Sequence, residues 1–184
     1  MTLPNLLRGS RVRLAALTPD DLPVIARWYE DAEFMRLYDA RAAVPKTKAE
    51  LDQWLEDLHK SKEIVGFAIR PVDHDDLIGT LELDGILWPH GVCGLAIAIG
   101  DRANWGKGYG YEAAQLALAF AFDELNMHRV QVTVFTYNER SLALFEKLGF
   151  QREGVYREFL RRDGKRYDMI LYGILDREWR ALGA

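Results

Sequence analysis

Asn104-Trp105-Gly106-Lys107-Gly108-Tyr109-Gly110-Tyr111-Glu112 sets three glycines at alternate positions beside a lysine, between an apolar strand pattern and an alanine-rich helix pattern. Glycine lets the chain take dihedrals closed to other residues and pass close to a ligand, so successive N–H groups can converge on one anion. The following helix adds its positive N-terminal end. The stretch reads as a phosphate cradle.

Spacing chooses among the folds that use such a loop. A dinucleotide fingerprint or a kinase glycine loop needs a third glycine at position 111, which is Tyr111. The nucleotide loop that ends in Gly-Lys-Ser/Thr after four intervening residues does not occur in the sequence. What remains is a pyrophosphate loop of the coenzyme A kind. The alternative is a glycine-rich strand-to-helix turn with no ligand.

A second constellation runs from Asn138 through Glu139, Arg140, Ser141 and Phe145 to Gly149 and Phe150. Leu142, Phe145 and Leu148 form the apolar face of a short helix, and Gly149 suits a left-handed C-terminal cap. Glu82 and Asp84 alternate on one strand, so their side chains share a face. They are either candidate bases or solvated charges on an exposed sheet face. His90, in a turn, and His128, opening a strand, read as surface residues despite a suitable pKa.

The elements that must hold these groups follow from periodicity and turn chemistry. Residues 11–17 alternate as a strand, and Thr18-Pro19-Asp20-Asp21 caps a helix to residue 30. Helical patterns cover 32–38 and 48–60, the latter opened by a Thr47/Glu50 capping box. Strands are predicted at 64–70, 77–88, 92–100 and 129–137, with a helix over 109–125. A final hairpin, 150–160 and 167–175, turns about Arg162-Asp163-Gly164-Lys165.

Composition excludes several classes. With 24 basic and 28 acidic residues among 184, the net charge of −4 points away from nucleic acid. The single cysteine, Cys93, allows no intramolecular disulfide framework and no zinc cluster, so no metal is expected and a reducing cytoplasm suits the chain. Residues 1–11 lack the apolar core of a signal peptide and no apolar run approaches a membrane span, so no membrane partner is expected.

Trp105-Gly106-Lys107-Gly108-Tyr109-Gly110 before a long helix, and Asn138 through Phe150 after a strand, resemble the GNAT superfamily of N-acetyltransferases over nearly the whole chain. Glu153-Gly154-Val155-Tyr156-Arg157, Asp163-Gly164-Lys165, Asp168 and Glu178-Trp179 resemble the branch of ribosomal-protein N-terminal and spermidine acetyltransferases. The resemblance implies an α/β (α+β) fold in which helices flank a mixed central sheet of about seven strands with a splayed strand pair. Residues 1–184 are expected to be one domain. The implied reaction is direct attack of a primary amine on acetyl-coenzyme A, the amine being a protein N-terminus or a small polyamine or amino compound. A non-catalytic module that binds or senses acyl-coenzyme A is the alternative.

By the same resemblance, the strand of Leu95, Ile97 and Ile99 splays from the strand ending at Tyr137, and the pantetheine arm pairs with backbone of Ile97, Ala98 and Ile99. Trp105, Gly106, Lys107, Gly108, Tyr109 and Gly110 form the pyrophosphate loop, with charge from Lys107, Arg102 and Arg140. Asn138 bonds the arm or the loop beneath it, and also suits an N-cap. Phe145 stands where many members carry the tyrosine that protonates the leaving thiolate, and phenylalanine cannot donate. Ser141 and Tyr137 are the replacement donors, although Ser141 could simply satisfy a backbone carbonyl. Glu82 is the favoured base ahead of Asp84. The acceptor enters between residues 32–48 and the C-terminal hairpin, past Trp28, Tyr29, Phe34, Tyr38 and Trp54. Acids at 73–76 and at Glu50, Asp52, Glu56 and Asp57 either attract a cationic acceptor or are surface charge. A homodimer through the C-terminal strands is expected.

Overall fold

Alternation in the sequence becomes a sheet with two covered faces. The structure, a computed structural model, describes residues 6–183. Of the segment read as lacking a signal peptide, residues 1–5 lie outside that range. Seven strands are β1 Val12–Ala15, β2 Val65–Pro71, β3 Gly79–Leu87, β4 Val92–Ile99, β5 Arg129–Phe135, β6 Gln151–Arg162 and β7 Lys165–Leu175. They form one sheet in the order β1-β2-β3-β4-β5-β7-β6. Only β4 and β5 are parallel neighbours; the other pairs are antiparallel.

That parallel pair is short. Val92, Cys93 and Gly94 face Arg129, Val130 and Gln131, after which β4 and β5 part. β5 keeps β7 along its other edge, from Arg129 opposite Leu175 to Phe135 opposite Met169. The expected splay therefore opens at Leu95, in the middle of the sheet.

Helices α1 Leu22–Glu30, α2 Ala32–Tyr38 and α3 Lys48–Lys60 bury Ile25, Trp28, Phe34, Leu51 and Leu55 in a cluster with Ala68 and Ala98. On the other face, α4 Tyr109–Ala119 and α5 Glu139–Lys147 pack into the larger cluster with Val130, Val132, Val134 and Ile170. The alanines of α4, among them Ala113, Ala114 and Ala117, are fully buried, so this helix lies close to the sheet.

Three local features depart from the sequence pattern. The helix after Thr18 opens as a 3-10 turn, Pro19–Asp21, whose buried Asp21 also receives Arg70 at 2.7 Å. The helix expected to residue 125 is α-helical only to Ala119 and widens into a π turn, Phe120–Glu124. That extra residue keeps Ala121 and Phe122 in the core while Phe120 meets Phe67 edge-on at 5.4 Å. A last helix, α6 Asp176–Ala181, is capped by the Glu178 carboxylate on the Leu175 N–H and buries Trp179.

Candidate active site

The glycine loop closes the open end of the splay. Gly106 (φ 73°) and Gly108 (φ 82°) are left-handed, and Gly108 starts α4. Gly110 already sits in the first helical turn, where an added Cβ would only touch Ile99 at 3.6 Å. Two of the three glycines are thus required by conformation, and Gly110 is not. The loop is braced from both sides: the Trp105 indole N–H donates to the Ile99 carbonyl at 2.7 Å, and Arg11 donates to the Lys107 carbonyl at 2.8 Å. The Glu112 carboxylate accepts the N–H groups of Arg11 and Val12, each at 2.7 Å, and of Ser10 at 3.0 Å. These bonds tie the first turn of α4 to β1 across 100 residues of chain. Burial opposes ionisation of Glu112, but the hydrogen bonds prevail and hold its carboxyl below the usual range.

A cavity of about 430 Å³ runs from this loop along β4 to α5, past Ile97, Gly108, Asn138, Arg140 and Ser141. Nothing lies within 4 Å of a Cβ built on Gly106, and the first N–H groups of α4 have no earlier turn to bond. Arg140 lies over the Trp105 ring, 4.4 Å from its centroid, which brings a fixed cation to the loop. This donor set fits an anionic pyrophosphate on an extended, amide-bearing arm, as acetyl-coenzyme A carries. Gly100 donates to Ile78, so strand alternation turns Ala98 toward β3, and Ile97 and Ile99 toward the open edge. The expected backbone trio is corrected accordingly: Ala98 is spent in the ladder, and the Ile99 carbonyl is already used by Trp105. Arg102 is corrected as well, since it pairs with Asp31 at 3.1 Å and Glu33 at 2.7 Å instead of supplying charge to the loop. The exposed Lys107 side chain does not line this cavity.

The splay itself holds a second cavity of about 400 Å³, between Gly94–Ile97 and residues 131–135. Phe145 lines it, 3% exposed and edge-on to Phe150 at 5.2 Å. Ser141 lines both this cavity and the one before it. Asn138 is the N-cap of α5: its side-chain oxygen accepts the Ser141 N–H at 3.2 Å, while its amide donates to the Leu37 carbonyl at 3.3 Å. Tyr137 is corrected as a donor to the thioester. Its hydroxyl donates to the Arg36 carbonyl, its ring packs against Phe135 and Tyr167, and it lines none of the three cavities.

Under α1 and α3, a third cavity of about 1090 Å³ reaches β3 and β4, with Tyr29, Tyr38 and Trp54 on its walls. Trp28 belongs to the core instead, and Phe34, also a core residue, borders the cofactor cavity. Glu82 and Asp84 lie side by side on the β3 wall of this cavity. The solvated-face reading of these carboxylates does not hold, because helices cover that face. Glu82 Oε1 is buried and has no hydrogen-bond partner among the described residues. Burial, followed by the charge of Asp84, pushes the Glu82 carboxyl up to about 7. Burial also raises Asp84, against a hydrogen bond from its own N–H. At the rim, Asp39 pairs with Arg41 at 2.6 Å, Glu50 lies 3.8 Å from Lys46, and Lys60 pairs with Glu56. The C-terminal hairpin does not border this cavity; it holds the roof through Arg162, which donates to the carbonyls of Asp39, Ala40 and Arg41. His90 and His128 lie on the surface away from all three cavities. Among the described residues no cluster of His, Cys, Asp and Glu could hold a metal ion.

Residues 11–151 match the family model of the Acetyltransferase (GNAT) domain. The chain belongs to the GNAT acetyltransferases, and it is an acetyl-coenzyme A dependent N-acetyltransferase. It is 27% identical over 174 residues to a Bacillus licheniformis protein named uncharacterized N-acetyltransferase p20, covering 94% of this chain and 97% of that one. It is also 27% identical over 126 residues to the ribosomal protein uS5-alanine N-acetyltransferase of Escherichia coli, covering 68% of this chain and 64% of that one. A crystal structure of spermidine N-acetyltransferase from Vibrio cholerae, in complex with coenzyme A and spermine, superposes with a TM-score of 0.85 at 25% identity, over 94% of this chain and 99% of that one.

Proposed function

We propose that Glu82 is the general base and that the acceptor is a singly charged amine, the α-amino group of a peptide or amino compound. The observation that carries this reading is the buried Glu82 oxygen, without a partner among the described residues, on the wall of a large cavity beside the splay. Bound acetyl-coenzyme A supplies an acetyl thioester open to attack by an amine. Glu82, with its carboxyl near 7, is substantially ionised at neutral pH and takes the proton of the incoming ammonium. An α-amino group, pKa ~7.7–8.0, nearly matches this base, whereas an alkylamine at ~10.4 adds roughly three pK units to the transfer.

Charge around the cavity suits a cationic acceptor. The rim acids Asp39 and Glu50 sit beside cations and Asp57 accepts from the Gln53 amide at 2.8 Å, so Glu82 and Asp84 are the anions at the inner wall. One ammonium finds two carboxylates there, while the further charges of a polyamine would reach a rim where Arg41, Lys46 and Lys60 alternate with Asp39, Glu50 and Asp57. Of the substrates in the names of similar proteins, the ribosomal alanine, whose α-amino group lies close in pKa to Glu82, fits this base better than spermidine. The edge N–H of Ile97 is suited to polarise the thioester carbonyl, the start of α4 and Arg140 to hold the pyrophosphate, and Asn138 and Ser141 to border the arm. The chain acts as one catalytic domain in the cytoplasm and self-associates through its C-terminal strands. No described helix is long and apolar enough to cross a membrane, and Cys93 is buried with its thiol pushed up to about 12 by burial and by Asp84.

The test is release of free thiol from acetyl-coenzyme A with short peptides, amino acids and spermidine as acceptors. Peptides with a free α-amine should turn over fastest, and Glu82→Gln should remove the acidic limb of the pH–rate profile near pH 7. Preferred turnover of spermidine overturns the acceptor; an unaltered profile overturns the base.

A further inference from the structure

Tyr38 lines all three cavities: the cofactor channel, the splay and the cavity of Glu82 and Asp84. It closes α2, stacked on Phe34 with ring centroids 5.6 Å apart. Its neighbours in the chain are pinned from the C-terminal half. Tyr137 donates to the Arg36 carbonyl, Asn138 to that of Leu37 at 3.3 Å, and Arg162 to that of Asp39 at 2.9 Å. This support fixes the ring at the junction, as a preorganised group requires. The Tyr38 hydroxyl has no hydrogen-bond partner among the described residues, Phe145 has no donor to offer, and Tyr137 is engaged elsewhere.

We infer that the Tyr38 hydroxyl donates the hydrogen bond that stabilises the departing sulfur of the thioester. This rests on the acetyl transfer proposed above. In that reaction the amine nitrogen bonds to the acetyl carbon, the carbon–sulfur bond breaks, and its electron pair leaves on sulfur. One amine proton goes to Glu82, and the second, lost from nitrogen as the amide forms, balances the charge on sulfur. Tyr38 keeps its own proton throughout. Burial, then Glu82, Tyr29, Asp39 and Asp84, raises its phenol well above the ordinary value, so it remains a donor at any working pH. Outright proton transfer from such a phenol to a thiolate near ~8.5 is uphill, so the contribution is a hydrogen bond to developing charge.

Tyr38→Phe tests this, because it keeps the ring stacked on Phe34 and removes only the oxygen. Turnover should fall on the order of 10²-fold, the loss typical of one preorganised donor to a developing anion. A binding measurement, independent of acceptor and base, completes the test: calorimetry of coenzyme A against desulfo-coenzyme A at pH 8.5, where much of the thiol is ionised. The unaltered enzyme should prefer coenzyme A several-fold, and Tyr38→Phe should lose that preference while binding the desulfo form unchanged. Preserved turnover, or an unchanged preference for the sulfur, overturns the inference. Failure of the Glu82 assignment would show in the pH profile of Glu82→Gln and leave this binding comparison unaffected.

Discussion

Asp84 lies opposite Gly94 in the β3–β4 ladder, and its carboxylate fills the space a side chain there would need: a Cβ on Gly94 would stand 2.0 Å from Asp84 Oδ1. The missing side chain lets Asp84 fold over β4, beside Glu82, whose carboxyl it helps to raise. Asp84→Asn removes that charge and leaves burial alone, so the Glu82 pKa drops from about 7 while staying above the ordinary carboxylate value. The acidic limb of kcat/KM should then move to lower pH. Gly94→Ala should move it the same way by displacing Asp84. A pH–rate series on both variants checks the sign, and a shift to higher pH would contradict the pairing.

The same raised carboxyl should appear in stability. A group with a folded pKa of about 7 and an ordinary value of 4.5 binds its proton more tightly in the folded chain. Its contribution is therefore complete below the ordinary pKa and is lost as pH rises through the folded one. By about 1.36 kcal/mol per pK unit, the loss approaches roughly 3 kcal/mol. Glu82→Gln, neutral throughout, should be more stable than the natural chain at pH 8, with the gap closing toward pH 4.5. Denaturant midpoints across that window would show it; parallel curves would mean that Glu82 is solvated.

Gly108 and Gly110 separate conformation from ligand approach. At Gly108 the left-handed backbone and the Arg11 guanidinium, 2.9 Å from an added Cβ, oppose any side chain. Gly108→Ala should lower the melting temperature and weaken coenzyme A binding together. At Gly110 helical geometry welcomes alanine, worth about 0.8–1 kcal/mol of helix propensity. Gly110→Ala should therefore hold or raise stability, and any loss of affinity in calorimetry reports the cofactor lying against that position. Equal destabilisation by the two substitutions would contradict the placement of Gly110 inside α4.

What was legible in the sequence was local. Alternate glycines before a helix, the valine alternation of β5 and the N-cap at Asn138 each carry their own geometry within a few residues. The splay followed from resemblance to a family, since no periodicity reveals where two parallel strands part. The bonds that set the site span the chain: Glu112 with Val12, Asn138 with Leu37, and Arg162 with the segment after α2. Their partners are assigned by topology, so composition offers no signal for them. Arg102 shows the converse, a cation near the loop in sequence that the fold commits to Asp31 and Glu33.

Arg162 offers the means to separate acceptor binding from cofactor binding. One guanidinium nitrogen donates to three successive carbonyls, Asp39 at 2.9 Å, Ala40 at 3.1 Å and Arg41 at 3.0 Å. The neighbouring Asp163 pairs with Arg36 through two bonds, at 2.9 and 3.0 Å. The tip of the β6–β7 hairpin thus grips both ends of the turn that carries Asp39 and Arg41 to the rim of the acceptor cavity. Arg162→Met retains the aliphatic stem and deletes the donors, leaving three carbonyls to find water. A charged donor is worth about 1.5–3 kcal/mol, so acceptor KM should rise roughly ten-fold or more if the roof is preorganised for the amine. The glycine loop and Arg140 lie beyond this contact, so calorimetric affinity for coenzyme A should hold. If both affinities fall together, the hairpin supports the whole splay; if acceptor KM is unchanged, the amine is held by Glu82 and Asp84 alone, and the roof has no part in its recognition.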